Sequence, residues 1–303
     1  MLKINVGFAQ NYLEYYSLIN QANYLPAKNQ YVKSDSLFSL AFQKYRGRKH
    51  DFVSAAITSL YIGDTLKCLT LLTRAVHTGL TLEQINKNKL LSKYLSGRLF
   101  ERLQKIYPVY RKKYLTSLNK NDLRFYRKVE LRDQLYRGKN DHGAYKKNFS
   151  EVIRLDSEDY NLVKRRILKK GWPNLGDDGD SEKSFNILTQ TIAHFNPGQK
   201  NFFLSYLKQA VLNGQAYPEQ YSVLFDRILL DRVEPQHYGS INIFLVDGFL
   251  RVYPINTTSI EQINIRREVI GVPAFEYCIE RDGATYDPNF TFEKFKEAIG
   301  LTK

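Results

Sequence analysis

The chain has 303 residues, of which 43% are hydrophobic and 25% charged, and a formal net charge of +14; this balance suits a globular protein and excludes wholesale disorder or a fibrous architecture. No stretch approaches the ~18 consecutive apolar residues of a membrane span, and residues 1–25 lack the apolar core of a signal peptide. The charge is uneven: residues 1–118 carry 18 Lys plus Arg against 6 Asp plus Glu, and the remainder carries 27 against 25.

Cys68 and Cys278 are the only cysteines and lie far apart, so neither a thiol metal clip nor a redox pair is expected, and a reducing, cytoplasmic setting suits a soluble chain. The basic first part would attract phosphates, acidic proteins or anionic head groups. A solvated helical face explains the same charge, and nucleic acid is the less favoured partner because no recognised binding motif accompanies it.

Along residues 10–116, an offset of 34 pairs Ala22 with Ala56, Ser34 with Cys68, Phe38 with Leu72 and Ala41 with Ala75. Small residues meet small ones and large apolar residues meet large ones, the alternation that crossing helices need. Residues 49–79 carry it most clearly, with Phe52, Ala55, Ala56, Ser59, Gly63, Cys68, Leu72 and Ala75. This spacing resembles the tetratricopeptide repeat, although Ser59 replaces its usual aromatic and Leu80 its closing Pro. Two or three helical hairpins are expected, the last degenerate, because the next offset puts Leu90, Arg102 and Ile106 where small, small and large residues belong. An ordinary helical bundle with an accidental period is the alternative. Stacked repeats leave a concave surface for a protein partner. Tyr12, Tyr15, Tyr16, Tyr24 and Tyr31 could line it, or pack with their hydroxyls in water.

Turn residues Ser117 to Asp122 mark the expected join between a domain over 1–118 and one over 119–303. Helices follow at 122–137 and 144–170, broken by Gly138 and Gly143, with Gly171 and Pro173 ending the second. Trp172, the single tryptophan, is expected to plug the next loop into the core. The acidic loop 175–180 is not a calcium site, since the register that places Gly179 correctly puts Phe185 where a bidentate Glu belongs. Asp180-Ser181-Glu182 instead starts a helix at 181–195, followed by helices at 198–213 and 217–231. Residues 240–246 and 249–254, separated by Asp247-Gly248, spell a β-hairpin, and a helix near 259–270 leads into short helical pieces. The fold expected is mainly α: a helical-hairpin module, then an α-rich domain with one β-hairpin.

Polar residues recur beside these apolar segments: Asp156-x-x-Asp159, Gly171-Trp172-Pro173, His194, Gln199, Asp226-Arg227, Pro235-Gln236-x-Tyr238-Gly239-Ser240, Arg266-Arg267-x-x-x-Gly271 and Glu276-Tyr277. In combination they resemble an uncharacterised bacterial domain family over roughly residues 125–280. The resemblance implies a boundary and a site, not a reaction. Asp159 departs from its pattern where an Asn is expected, and Ser240-Ile241 where Thr-Gln is.

His194 is the candidate general acid or base, with Asp226 to orient or polarise it. Gln199, Arg227, Gln236, Tyr238, Ser240 and Arg267 are the candidate ligand-binding residues, Arg227 for an anionic group and the neutral side chains for hydrogen bonds. Each has a structural alternative: His194 at a helix C-terminus, Arg227 in a surface ion pair, Gln236 and Tyr238 satisfying a loop. His50, His77, His142, His194 and His237 show no paired metal-ligand spacing, so no metal is expected, and no cofactor signature occurs. The functions consistent with this reading are protein or small-ligand binding first, a hydrolase-like enzyme using His194 second, and nucleic-acid binding through the basic half third.

Overall fold

Apolar residues at helical spacing dominate the chain, and the structure is accordingly mainly helical. The computed structural model describes residues 6–94, 98–137, 147–173, 182–241, 244–246, 249–252, 255–256 and 259–298. Among these, no helix is long and apolar enough to cross a membrane. The chain divides between Arg127 and Lys128: residues 6–127 with 182–185 form one unit, and residues 128–173 with 186–298 the other.

The first unit contains α1 (Val6–Tyr24), a 3-10 turn at Leu25–Lys28, α2 (Tyr31–Lys44), α3 (Lys49–Tyr61), α4 (Thr65–His77), α5 (Leu82–Lys87), α6 (Lys89–Tyr94) and α7 (Arg98–Ser117). Helix α1 packs on α2, α2 on α3, α3 on α4, and α4 on α7. The eight residues paired at the 34-residue offset are all buried to within 1%, because small side chains let the helix axes approach while Phe38 and Leu72 fill the space between them. Asp64 starts α4 by accepting from the Lys67 amide at 2.9 Å. Burial pushes the Cys68 thiol up to about 12, so it is protonated and unreactive at neutral pH.

After α4 the pattern breaks, as Leu90 and Arg102 foreshadow. In place of one helix the chain forms α5 and α6, separated at Asn88, whose Oδ1 accepts from the Leu90 and Leu91 amides. Tyr12 and Tyr15 do not line a groove. Both are fully buried, with the Tyr12 hydroxyl accepting from Arg48 and the Tyr15 hydroxyl donating to Asp51, which satisfies polar groups that burial would otherwise penalise.

Helix α8 (Lys120–Gln134) leads into α9 (Phe149–Lys170), α10 (Glu182–His194), α11 (Pro197–Leu212) and α12 (Pro218–Asp231). Gly171 ends α9, and the buried Trp172 and Pro173 follow at once. The breaks expected at Gly138 and Gly143, and the helix start at Asp180-Ser181, lie outside the described residues. Strand β1 (Phe244–Val246) pairs antiparallel with β2 (Phe249–Arg251) over three residues each, with Val246 opposite Phe249; the Asp247-Gly248 turn lies outside the described residues. Helices α13 (Ile260–Val269), α14 (Phe275–Asp282) and α15 (Phe292–Ala298) complete the chain.

Candidate functional site

The polar motif residues divide into two groups with different chemistry. The first group surrounds the irregular segment 235–241. Asp226, on the inner face of α12 and fully buried, accepts from the backbone amides of His237 (2.8 Å), Tyr238 (3.0 Å) and Ser240 (2.8 Å). On the opposite side of the same backbone, Arg267 donates to the carbonyls of Tyr238 (2.7 Å), Gly239 (3.3 Å) and Pro273 (2.6 Å). Gln236 closes the segment on itself, its Oε1 accepting from the Ile241 amide and its Nε2 donating to the Ile241 carbonyl.

Gly239 is held at φ +61° with the Phe275 ring where a side chain would stand, 2.8 Å from an ideal Cβ; only glycine fits that approach. A loop without helix or sheet partners must pair its amides and carbonyls elsewhere, and Asp226 and Arg267 supply a matched anion and cation for that purpose. Burial raises the Asp226 carboxyl above the usual range, against the lowering effect of the three amides. Tyr238 is buried against Tyr221 and Phe225. Asp226, Gln236, Tyr238, Ser240 and Arg267 therefore converge, but on the fold's own backbone.

Two other expected ligand contacts are also structural. Gln199 forms a reciprocal capping box with Asn196 at the start of α11. Arg227 points away from Asp226 to the surface, 3.6 Å from Asp231, while Lys200, only 3% exposed, also pairs with Asp231.

The second group is centred on His194. Phe195, next in sequence, is buried against Tyr160 of α9 and Phe203 of α11, at ring separations of 5.8 and 5.9 Å, and this anchors the end of α10. His194 Nδ1 then lies 2.7 Å from Asp133 Oδ1, with the imidazole side chain 33% exposed and the carboxylate 3% exposed. Asp226 is not its partner. Asp133 extends the buried stripe of α8 one step beyond Val129, so a carboxylate occupies a position that packing alone would give to an apolar residue.

Arg137 bridges Asp133 (3.1 Å) to Asp156 of α9 (2.5 Å), and Arg132 pairs with Asp159 (2.6 Å) and Glu158 (2.7 Å). Burial raises the Asp133 carboxyl, but the hydrogen bond and charge of His194, with Gln134 and Arg137, outweigh it and leave the group below its usual value. Asp159 has the opposite balance. It is 1% exposed within the apolar stripe Val152, Leu155, Val163 and Ile167, and its Oδ2 has no hydrogen-bond partner. Burial, with Asp133 and Asp156 nearby, keeps its pKa raised despite Arg132.

Sequence reasoning missed Asp133 and Arg137 as members of this cluster. The available signal was an aspartate on the buried stripe of each of two helices, Asp133 and Asp159, because buried carboxylates are expensive unless they are used.

With Nδ1–H donating to Asp133, the imidazole presents Nε2 as a free lone pair, an oriented base able to take a proton and return it. Among the described residues no group of three His, Cys, Asp or Glu is arranged to hold a metal ion. No curated protein and no solved structure matches the chain. Residues 146–287, which include Asp156, Asp159, His194 and the whole Asp226–Arg267 scaffold but begin after Asp133 and Arg137, match a family of unknown function, DUF6624.

Proposed function

We propose that the second unit binds a small ligand at the His194–Asp133 pair and moves a proton there, with hydrolysis as the default chemistry. The observation that carries this reading is the part-exposed imidazole oriented through Nδ1 by a buried carboxylate, the geometry of a positioned general base. The Asp133 carboxylate also stabilises the imidazolium formed when the base takes its proton. Asp226 and Arg267 are assigned to the fold, holding the loop that follows α12.

The first unit is proposed as a tetratricopeptide-like module that binds a protein partner. The buried small and large residues at the 34-residue offset support that part. Two buried cysteines outside any disulfide suit a cytoplasmic setting.

The test is turnover or binding of a pooled metabolite and dipeptide mixture, read by mass spectrometry, with the full chain. His194→Ala should abolish whatever the wild type consumes or retains, and Asp133→Asn should lower it at least tenfold. Wild-type activity that survives in His194→Ala would refute the assignment.

A further inference from the structure

The formal charge of +14 resides entirely in residues 1–127, which carry 21 Lys plus Arg against 7 Asp plus Glu; the rest of the chain is balanced at 24 against 24. Within the first part the excess is concentrated on α7 and the start of α8. Residues 98–127 hold nine Lys and Arg and two acidic residues, Glu101 and Asp122, the second of them buried.

Helix α7 turns its apolar and aromatic side inward. Leu103 and Tyr114 are buried, and Tyr107 and Tyr110 half-buried. The opposite side carries Arg102, Lys105, Val109, Lys112 and Thr116 at steps of three and four, all exposed, so Lys105 and Lys112 lie about 10 Å apart along one face. Lys120, Arg124 and Arg127 continue the exposed cations onto α8. None of these six cations is paired with a carboxylate among the described residues, whereas Lys44, Lys67 and Lys87 elsewhere in the unit each hold one within 2.7 Å. Pro108, Arg111, Lys112, Leu115, Thr116 and Lys120 line a shallow depression along this face.

We propose that this face binds the phosphate backbone of a nucleic-acid duplex, independently of the His194 site. Six exposed cations without a carboxylate partner among the described residues, carried by α7 and the first half of α8, match a repeating phosphate charge, and association gains from releasing the counterions that both surfaces hold. Single-stranded recognition would require exposed aromatic rings on which bases stack, and the α7 tyrosines turn inward. A membrane-lying helix would require a continuous apolar stripe, and the exposed Val109 and Leu115 are interrupted by Arg111, Lys112 and Lys113. The contact is to backbone rather than bases, so no sequence preference is expected.

The test uses the full chain, fluorescence anisotropy, and labelled 20-base-pair DNA and RNA duplexes of arbitrary sequence. Raising salt from about 50 to 200 mM should weaken binding on the order of a hundredfold, as about four neutralised phosphates imply. The triple variant Lys105→Gln/Lys112→Gln/Lys120→Gln should bind about tenfold or more weaker at low salt, with a salt slope shallower by about 2.7, at ~0.9 for each phosphate no longer neutralised. The control Lys33→Gln/Lys169→Gln/Lys208→Gln should bind as wild type. Failure to bind either duplex at low salt, equal weakening in both triple variants, or binding only to vesicles containing phosphatidylserine would each overturn the proposal.

Discussion

Asp133 Oδ1 and His194 Nδ1 stand 2.7 Å apart, joining the C-terminal part of α8 to the last turn of α10. The contact lies between a carboxylate sealed from solvent and an imidazole that still reaches it. This asymmetry lets one partner hold the other in a fixed tautomer while leaving Nε2 available.

Asp133→Asn should cost about 1–3 kcal/mol at pH 7, since the buried position keeps its shape but loses a charge-assisted bond to His194 and a pairing with Arg137. The folded pKa of Asp133 is depressed, so its contribution is full above the unfolded value near ~3.9 and is lost as pH falls through the folded value. Urea unfolding at several acidic pH values should show the difference between wild type and variant shrinking as pH falls below about 4. A difference that instead grows below about pH 4 would contradict the pairing.

Asp226→Ala should act on the loop rather than on chemistry. It leaves the amides of His237, Tyr238 and Ser240 without their acceptor, at a cost on the order of 3 kcal/mol or more. Hydrogen exchange should show those amides losing protection while the amides of α9 and α11 keep theirs. Unchanged exchange in the loop would mean that the carboxylate is not what holds it.

The repeat spacing was legible because packing writes itself into sequence at fixed intervals: Ala22 and Ala56, or Phe38 and Leu72, meet the same constraint one hairpin apart. The polar motif was legible as a set but not in its roles. Asp226 lies in a conspicuous Asp-Arg pair and follows a candidate base along the motif, yet its carboxylate faces amides 11–14 positions downstream. Asp133 lies 61 residues before the histidine it orients, outside every motif. No local pattern records which helix faces which, so a carboxylate brought in by tertiary packing is invisible until α8, α9 and α10 are placed.

Gly79 tests the packing of the first unit. It ends α4 at φ +103°, and an ideal Cβ there would stand 2.5 Å from the Tyr114 ring of α7. Gly63 shares the positive φ, at +81°, but has nothing within 4 Å. Gly63→Ala should therefore cost only the backbone term, about 1–2 kcal/mol. Gly79→Ala should cost clearly more, by the overpacking of about 1–3 kcal/mol. Equal melting temperatures for the two variants would show that Tyr114 yields without penalty.

Asp159→Asn separates use from tolerance at the most expensive position of the site. The wild-type carboxylate is buried, keeps one oxygen without a partner and has Asp133 and Asp156 as neighbours. Asn retains an acceptor for Arg132 and removes the charge, so at pH 7 the substitution should be neutral or stabilising, within about 1 kcal/mol, as replacement of unfavourably buried charge often is. Asp159→Ala should instead destabilise by about 2–3 kcal/mol, because Arg132 loses its buried partner. The folded pKa of Asp159 is raised, so the folded state holds its proton longer than the unfolded chain. Wild-type stability therefore falls, relative to the Asn variant, as pH rises from about 4 through the folded value, and is level beyond it. Denaturant titrations of both proteins from about pH 3.5 to 8 read this directly. If Asp159→Asn proves strongly destabilising at pH 7 and its deficit grows with pH, the carboxylate is paired by more than Arg132 and its cost has been misjudged. If instead it folds as well as wild type and loses ligand binding, the charge is retained for the ligand rather than for the fold.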